Sequence, residues 1–253
     1  MYRTIKGIVL KKTRFGDSSA YITVITEEGL EKFSAKGIYS PKSRNAPACV
    51  LYAFSEFVIS ERNEAATLSS ASLIKPLIRQ GVDFEALAVA NYISSLAHDT
   101  TFTEEDAEVI FKLLGTALSI LNKMETPAPI VKAVFELRLM ARLGFYPDIE
   151  TCARCGKPFN NGVFLPQEGS ALCDKCEVFF DKDKIFFPQS LKEGVEKLLS
   201  LSDAAAFGIR FSEEKTENAF ISLAEKFSAN HLDCAMAALN YYKTNIKNLT
   251  ELK

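Results

Sequence analysis

Two cysteine pairs, Cys152-Ala153-Arg154-Cys155 and Cys173-Asp174-Lys175-Cys176, constrain this chain more than any other sequence feature. The thiols of each pair stand three positions apart, and residues 156–172 separate the pairs, a spacing typical of zinc sites with four cysteines. Two tight turns of this kind can aim four thiolates at one centre, about 2.3 Å from the metal. We therefore predict one Zn²⁺ ion per chain. Since four protein ligands leave no open coordination position, this zinc is expected to be structural.

Other uses of these cysteines fit the sequence less well. Disulfides form in oxidising compartments, whereas the first residues, Met1-Tyr2-Arg3-Thr4, do not resemble a secretory signal. A run of about 18 apolar residues, as a membrane span requires, is also absent from the sequence. A thioredoxin-like redox pair needs a βαβ setting, but these cysteines lie between helical patterns. We therefore expect a cytoplasmic protein with reduced thiols.

Residues 1–75 have the short β-branched and aromatic runs of a β domain. Turn-forming residues separate five such runs, at 5–12, 20–26, 30–36, 50–60 and 66–74. Five short strands suit a small barrel, because a barrel leaves no exposed sheet edge. We predict an OB fold, while an SH3-like barrel or a small sandwich would fit the strand count equally well.

The hydrophobic period changes from two to 3.6 after Asp83, which predicts helices. Thr103 precedes three acids and fits a helix N-cap, Gly144 fits a helix end, and Ser190-Leu191-Lys192-Glu193 has the pattern of a capping box. The predicted fold class is α+β and multi-domain, with an N-terminal OB-fold β-barrel followed by an α-helical domain with an inserted zinc knuckle. The predicted domains are a nucleic-acid-binding barrel at 1–80, two parts of the helical domain at 81–148 and 182–253, and the four-cysteine insert at 149–181.

The charge of the chain is unevenly distributed. The net charge is −2, which by itself argues against a general nucleic-acid binder. Residues 1–50, however, contain nine Lys and Arg against four acids. Such an asymmetry indicates a local basic face on an otherwise acidic protein. A solvated strand surface would explain the same excess.

The basic residues of the predicted barrel are candidates for nucleic-acid binding. Small barrels bind single strands through a cationic groove and aromatic side chains that stack on bases. Lys and Arg would contact phosphates, which gives salt-dependent affinity without sequence preference. Tyr39 could stack on a base or anchor its loop to the barrel. The candidates are Lys11, Lys12, Arg14, Lys36, Tyr39, Lys42 and Arg44.

The sequence lacks the usual signatures of catalysis. It contains neither a P-loop nor a G-x-G-x-x-G motif. Of its two histidines, His98 follows a helical pattern and fits a C-terminal capping role, and His231 lies in a helical region beside Asn230 and Asp233. We therefore expect a protein that is not an enzyme. The alternative to DNA binding is a protein-interaction scaffold with a structural zinc and no direct DNA role.

Several segments together resemble the bacterial recombination mediator family RecO. Gly7-Ile8-Val9-Leu10 with Arg14-Phe15-Gly16-Asp17-Ser18 is similar to that family's first strand and turn, and residues 36–44 to its basic loop. Phe135-Glu136-Leu137-Arg138-Leu139 followed by Leu143-Gly144-Phe145 and Cys152-Ala153-Arg154-Cys155-Gly156 is similar to its helix leading into the zinc knuckle. This last segment is the most specific part of the resemblance, which spans most of the chain.

The resemblance implies binding of single- and double-stranded DNA and annealing of complementary strands. It also implies that the protein, with RecR as partner, helps to load RecA on DNA coated by single-strand-binding protein in the nucleoid. The resemblance also implies DNA contacts for the side chains at positions that match the family, which are Lys36, Lys42, Arg44 and Arg14. The chain departs from the family after the basic loop, where it reads Val50-Leu51-Tyr52-Ala53-Phe54, and at its C-terminal end, where a basic element is missing. The site for the tail of single-strand-binding protein is therefore not placed.

Overall fold

The computed structural model describes residues 1–62, 65–79, 81–179, 183–232, 234 and 236–250. The chain divides into two compact units, one made of residues 1–124 and those from 241 onward, the other of residues 125–240. The boundary after residue 124 falls within the segment predicted as the first helical part, and the predicted domain limits stay predictions. None of the helices in these described ranges combines the length and the apolar character that crossing a bilayer requires.

A five-stranded barrel forms most of the first unit. Its strands follow one another in space as β1-β2-β3-β5-β4, and β4 pairs in turn with β1. β3 meets β5 in parallel at Ser34 and Thr67, whose hydroxyl oxygens lie 3.1 Å apart. This is the strand order of an OB fold and not of an SH3-like barrel or a sandwich, so the predicted fold class is confirmed. The strands are β1 (Tyr2–Phe15), β2 (Ser19–Ile25), β3 (Leu30–Ala35), β4 (Ala53–Arg62) and β5 (Ala65–Pro76).

The long first strand changes faces at a β-bulge. In its pairing with β2, Val9 lies opposite Val24, whereas Lys11 lies opposite Thr23, so that one residue is inserted between them. Val9 and Val24 are buried in the barrel. Because successive side chains of a strand alternate between faces, the inserted residue moves Lys11 to the outer surface and Lys12 to the inner side.

The barrel interior is filled by large apolar side chains from every strand. Phe33 and Phe57 are fully buried, with ring centroids 5.2 Å apart. Gly7 permits a close approach of β1 to β2, since a Cβ atom there would lie only 2.8 Å from the carbonyl oxygen of Ile25. Cys49 is also fully buried in this cluster, where it packs as a small core residue.

Two helices, α1 (Phe84–Thr100) and α2 (Glu104–Lys123), and the part of the last helix from Tyr241 onward belong to the first unit together with the barrel. Phe111 of α2 contacts Phe54 of β4 in an edge-to-face arrangement, with ring centroids 5.9 Å apart. The predicted N-cap is confirmed, because the Thr103 hydroxyl accepts from the backbone N–H of Asp106 and the Asp106 carboxylate accepts from the N–H of Thr103. This reciprocal pair is a capping box.

The second unit packs helices beside a small three-stranded sheet. Its longest helices, α3 (Ala128–Arg142) and α6 (Glu214–His231), pack against each other. Gly144 ends α3 with a φ of +87°, the left-handed conformation that favours glycine, as predicted. The sheet has the order β7-β6-β8. The other elements are β6 (Gly162–Leu165), β7 (Ser170–Cys173), β8 (Ile185–Phe187), α4 (Gln189–Ser200) and α5 (Asp203–Ala206). The last helix is α7 (Met236–Thr250), whose residues from Tyr241 onward belong to the first unit.

The capping box predicted at Ser190 is wrong. Helix α4 begins at Gln189, after Pro188, and its N-cap has no side-chain hydrogen bond. Ser190 already lies inside the helix, where its hydroxyl is 3.5 Å from that of Thr216. Proline before the first turn explains the earlier start, since its fixed φ is compatible with a helix N-terminus.

Replacing Thr103 by Ala should lower the free energy of unfolding by about 1 kcal/mol, because the first turn of α2 loses its side-chain acceptor. Urea unfolding followed by circular dichroism would measure the change. Thr116→Ala is the matched control, since the Thr116 hydroxyl bonds only the carbonyl of Lys112 within the same exposed helix face. That control should be neutral or stabilising, and an equal loss in both variants would contradict the capping argument.

Candidate metal centre and nucleic-acid interface

The four predicted metal ligands come together in one cluster. Cys152 and Cys155 lie on a tight turn, in which the N–H of Gly156 donates to the carbonyl of Cys152 at 2.8 Å. Gly156 has a φ of +69°, which a residue with a side chain rarely adopts. Cys173 ends β7, and the N–H of Cys176 donates to its carbonyl at 3.0 Å. Each pair therefore forms the turn that its spacing predicts.

The distances within the cluster fit a tetrahedral metal. The four Sγ atoms all lie within 4.8 Å of one another. Sulfurs placed about 2.3 Å from a common centre would be about 3.8 Å apart, so small movements would bring the four to ligating positions. Cys152 and Cys173 are buried and Cys155 is exposed, which places the cluster at the surface of the unit. The four cysteines could hold one metal ion.

The surroundings of the cluster lower the pKa of one thiol, Cys152, and raise that of another, Cys176. Burial by itself would raise the pKa of Cys152, but hydrogen bonds from the backbone of Cys173, Cys155 and Arg154 lower it to about 6. For Cys176, burial and hydrogen bonds to the other thiols raise the pKa to about 12. The first proton of the cluster is therefore lost far more easily than the last, and a metal must displace the remaining protons.

The second unit holds the cysteine turns in place from two sides. The N–H of Ala153 donates to the carbonyl of Ala171 in β7 at 2.9 Å. Lys192 of α4 donates to the carbonyl oxygens of Glu150 and Phe159, at 3.1 and 3.2 Å, and its Nζ lies 4.6 Å from the centre of the Phe159 ring. The first cysteine turn is therefore tied both to the hairpin β6–β7 and to a helix.

The predicted basic residues of the barrel lie in three places, which are the inner side of β1, the loop after β3 and the outer side of β1. Lys12 and Arg14 lie on the inner side at the end of the barrel, where both approach the ring of Tyr39, at 4.4 and 5.1 Å from its centre. Burial lowers the pKa of Lys12. Arg14 donates to the carbonyl of Asp17 at 2.6 Å. We call Lys12, Arg14 and Tyr39 the mouth cluster.

The loop after β3 carries the remaining candidates. The N–H of Tyr39 donates to the carbonyl of Ser18 at 2.9 Å, which fastens the loop to the turn between β1 and β2. Asn45 accepts from the N–H of Ala71 in β5 at 3.0 Å. Lys36, Lys42 and Arg44 are exposed, and none of the three forms an ion pair with a carboxylate of the described residues. The basic loop is thus anchored at both ends while its cations face solvent.

Lys11 belongs to a different surface, formed by the outer side of β1, β2 and β3. Sequence reasoning missed two members of this surface, Tyr21 and Lys32. The rings of Phe15 and Tyr21 stack with centroids 4.4 Å apart, and the Lys32 ammonium lies 5.2 Å from the centre of the Tyr21 ring. The alternation Ala20, Tyr21, Ile22 could have revealed Tyr21, since its neighbours are typical core residues.

The acids of the barrel that have ion-pair partners lie away from the basic loop. Arg3, near the start of β1, binds Glu31 through two hydrogen bonds of 2.8 Å and Glu61 through one of 2.7 Å. These bonds, led by the one with Glu31, raise the pKa of Arg3. Glu31, an acid close in sequence to the basic loop, is therefore neutralised by Arg3. Glu28 lies in the turn between β2 and β3.

Arg138, in the segment that precedes the cysteines, has a structural position. It is 5% exposed, and it donates to the carboxylate of Asp203 and to the carbonyl oxygens of Leu198 and Leu199 at the end of α4. The guanidinium thus binds carbonyl oxygens at the C-terminal end of α4, where a cation is favourable.

Both histidines contact neighbouring residues. Nδ1 of His98 lies 2.7 Å from Oδ1 of Asp99, and Nδ1 of His231 lies 2.9 Å from the carbonyl oxygen of Phe227.

The affinity of the cluster for a thiophilic divalent ion should increase with pH. Because Cys152 loses its proton at about pH 6 and Cys176 only far above neutrality, protons compete with the metal throughout the neutral range. Titration with Co²⁺, followed by the sulfur-to-metal charge-transfer band, should show clearly weaker binding at pH 6 than at pH 8. Equal affinity at the two pH values would contradict this account.

Comparison with known proteins agrees with this architecture. The family model described as "Recombination protein O N terminal" matches residues 1–77, and "Recombination protein O C terminal" matches residues 81–232. "DNA repair protein RecO" of Acetivibrio thermocellus is 27% identical over 249 residues, which cover 96% of this chain and 97% of that protein. The proteins of that name from Caldicellulosiruptor bescii and Bacillus cereus strain AH187 are 29% and 26% identical, and the matches cover 68% and 79% of this chain and 71% and 79% of those proteins. The chain belongs to the RecO family of DNA repair proteins.

Proposed function

We propose that this protein is a DNA-binding recombination mediator that brings complementary single strands together. The observation that carries the proposal is the anchored loop whose cations, Lys36, Lys42 and Arg44, face solvent without carboxylate partners among the described residues. An OB barrel offers such a loop and the adjoining strands to a nucleic-acid backbone. Family membership supports the same role in DNA repair.

The physical basis of annealing is charge neutralisation. Two single strands repel each other through their phosphates, and bound Lys and Arg side chains replace the counterions that otherwise screen this repulsion. A protein that covers phosphates without reading bases lets strands of any sequence approach. Contacts of this kind provide affinity and position, whereas sequence is read by base pairing between the strands.

Within this proposal the basic residues bind phosphates from three places. Lys36, Lys42 and Arg44 bind them from the loop, Lys12 and Arg14 at the mouth of the barrel, and Lys11 on the outer side of β1. Lys12 and Arg14 both approach the ring of Tyr39, and the backbone N–H of Tyr39 fastens the loop to the carbonyl of Ser18. The role of Tyr39 is therefore to anchor the loop and to fix the two cations, through cation–π contacts worth about 0.5–1 kcal/mol each at exposed sites.

The proposed metal is one structural Zn²⁺ ion, held by Cys152, Cys155, Cys173 and Cys176. Thiolate ligands in a tetrahedral set select zinc among the common divalent ions. When bound, zinc supplies a cross-link between the first cysteine turn and the end of β7. A fully protein-ligated metal has no position for a substrate, so the proposed function does not include catalysis.

The proposed partners follow from family membership. They are single- and double-stranded DNA, RecR and single-strand-binding protein, with RecA served indirectly when the mediator helps to load it on coated DNA. The proposed location is the cytoplasm, at the nucleoid, where the thiols stay reduced.

Purified protein should contain about one zinc per chain, and the double replacement Cys152→Ser and Cys155→Ser should remove it, because two thiolates cannot complete the tetrahedron. Atomic absorption measures the metal. Cys234→Ser is the control, since Cys234 lies outside the cluster and should leave the zinc content unchanged. Full zinc retention by the double variant would exclude this site.

Replacing Lys36, Lys42 and Arg44 together by Ala should weaken DNA binding for every sequence alike. The slope of log affinity against log salt for a single strand should fall by about 2, since each lost phosphate contact removes about 0.7. Fluorescence anisotropy across a salt series would measure both quantities, and strand annealing should slow in parallel.

The control variant removes three positive charges from surfaces outside the loop. Lys112, Lys123 and Lys197 are exposed on helices, and their joint replacement by Ala should leave the slope unchanged. If the loop variant binds and anneals like the wild type, the loop is not the DNA site. If the wild-type protein binds no DNA even at low salt but retains protein partners, the scaffold alternative is correct.

A further inference from the structure

An exposed aromatic stack lies on the outer surface of the barrel, beside the proposed phosphate contacts. Phe15 pairs with Ser19, and Thr13 pairs with Tyr21, so Phe15 and Tyr21 are diagonal neighbours on one face of two strands. Their centroids are 4.4 Å apart, with an angle of 29° between the ring planes. Tyr21 is 42% exposed. We call this pair the aromatic platform.

The barrel core does not require the platform. Ala20 and Ile22, the neighbours of Tyr21, point inward and are fully buried, as are Val24 and Phe33. Tyr21 points away from that core and stays partly exposed, although Phe15 stacks on its ring and the Lys32 ammonium approaches it. A cross-strand aromatic pair contributes up to about 1 kcal/mol to hairpin stability, which accounts for the contact of the two rings but not for the cations placed around them.

Two cations lie on the same surface as the platform. Lys32 of β3 pairs with Thr23, one of the outward residues of β2, and its ammonium lies 5.2 Å from the centre of the Tyr21 ring. Lys11 also pairs with Thr23 and is exposed. Both cations thus flank Thr23, the next outward residue of β2 after Tyr21. OB barrels hold single strands with such a combination of cations and exposed rings, since phosphates meet the cations and bases meet the rings.

We propose that the aromatic platform stacks on an unpaired base and thereby gives this protein a preference for single strands over duplex DNA, an inference that rests on the proposed function. In a duplex the π-faces of the bases are already stacked on each other and are not available to a protein ring. Stacking occupies only the π-face of the base. Its Watson–Crick edge remains open, so a strand held in this way is still competent to pair with its complement.

Under this inference the affinity for a single strand has two contributions, phosphate contacts and base stacking, which can be measured separately. An oligonucleotide of abasic nucleotides keeps the phosphates and lacks the rings. Wild-type protein should bind a base-bearing strand about 5- to 140-fold more tightly than the abasic strand of the same length, the range expected for stacking of one base. The dependence on salt should be the same for both strands, because the phosphate contacts are the same.

Variants of Tyr21 locate the effect. Tyr21→Ala should lose the preference for the base-bearing strand and keep the affinity for the abasic strand, whereas Tyr21→Phe should retain both. A 2-aminopurine in the strand should be quenched on binding to wild type and to Tyr21→Phe, but less by Tyr21→Ala. Tyr146→Ala is the matched control, since Tyr146 is 64% exposed in the other unit and should behave as wild type.

The outcomes distinguish this inference from the function on which it rests. Equal affinity of the wild type for base-bearing and abasic strands, measured without any variant, would overturn the stacking role and leave phosphate binding in place. A preference that Tyr21→Ala retains would place the stacking elsewhere and equally overturn the inference. Failure to bind either strand at low salt would remove the proposed function together with the platform.

Discussion

A single inserted residue in β1 decides which side chains this protein presents to its surroundings. Before the bulge Val9 faces the barrel core together with Val24, and after it Lys11 faces outward together with Thr23. A shift of one residue exchanges the two faces of a strand. Without the bulge, Lys11 would point into the barrel, and Phe15 would face away from Tyr21. The mouth cluster and the aromatic platform both depend on this irregularity.

The consequence is a barrel with two cationic surfaces that differ in chemistry. At the mouth, Tyr39 holds Lys12 and Arg14 beside its ring, so that the aromatic side chain organises charge. On the outer surface, Phe15 and Tyr21 stack on each other beside Lys32, and Tyr21 stays partly exposed. The first arrangement suits phosphates, and the second suits bases. The ion pairs of Arg3 neutralise two carboxylates of the barrel, Glu31 and Glu61.

The metal cluster illustrates a site that short-range spacing nearly specifies. Each cysteine pair needs only a tight turn, and Gly156 supplies the backbone conformation for the first. The two turns must still be brought together, and the hairpin of β6 and β7 does this by placing Cys173 beside the first turn. Backbone hydrogen bonds that lower the pKa of Cys152 then favour the thiolate a metal requires.

The sequence by itself determined the four-cysteine cluster, the strand-rich first third, the N-cap at Thr103 and the helix end at Gly144, because each depends on residues within a few positions of one another. Tertiary structure alone decided the OB strand order, the place of Tyr21 and Lys32 beside Phe15, and the structural burial of Arg138 against Asp203. It also decided that α1 and α2 belong to the same unit as the barrel. Hydrophobic periodicity shows that a face is buried but not which element covers it, and a bulge has no sequence signature. Those features arise from pairings between residues far apart in the chain.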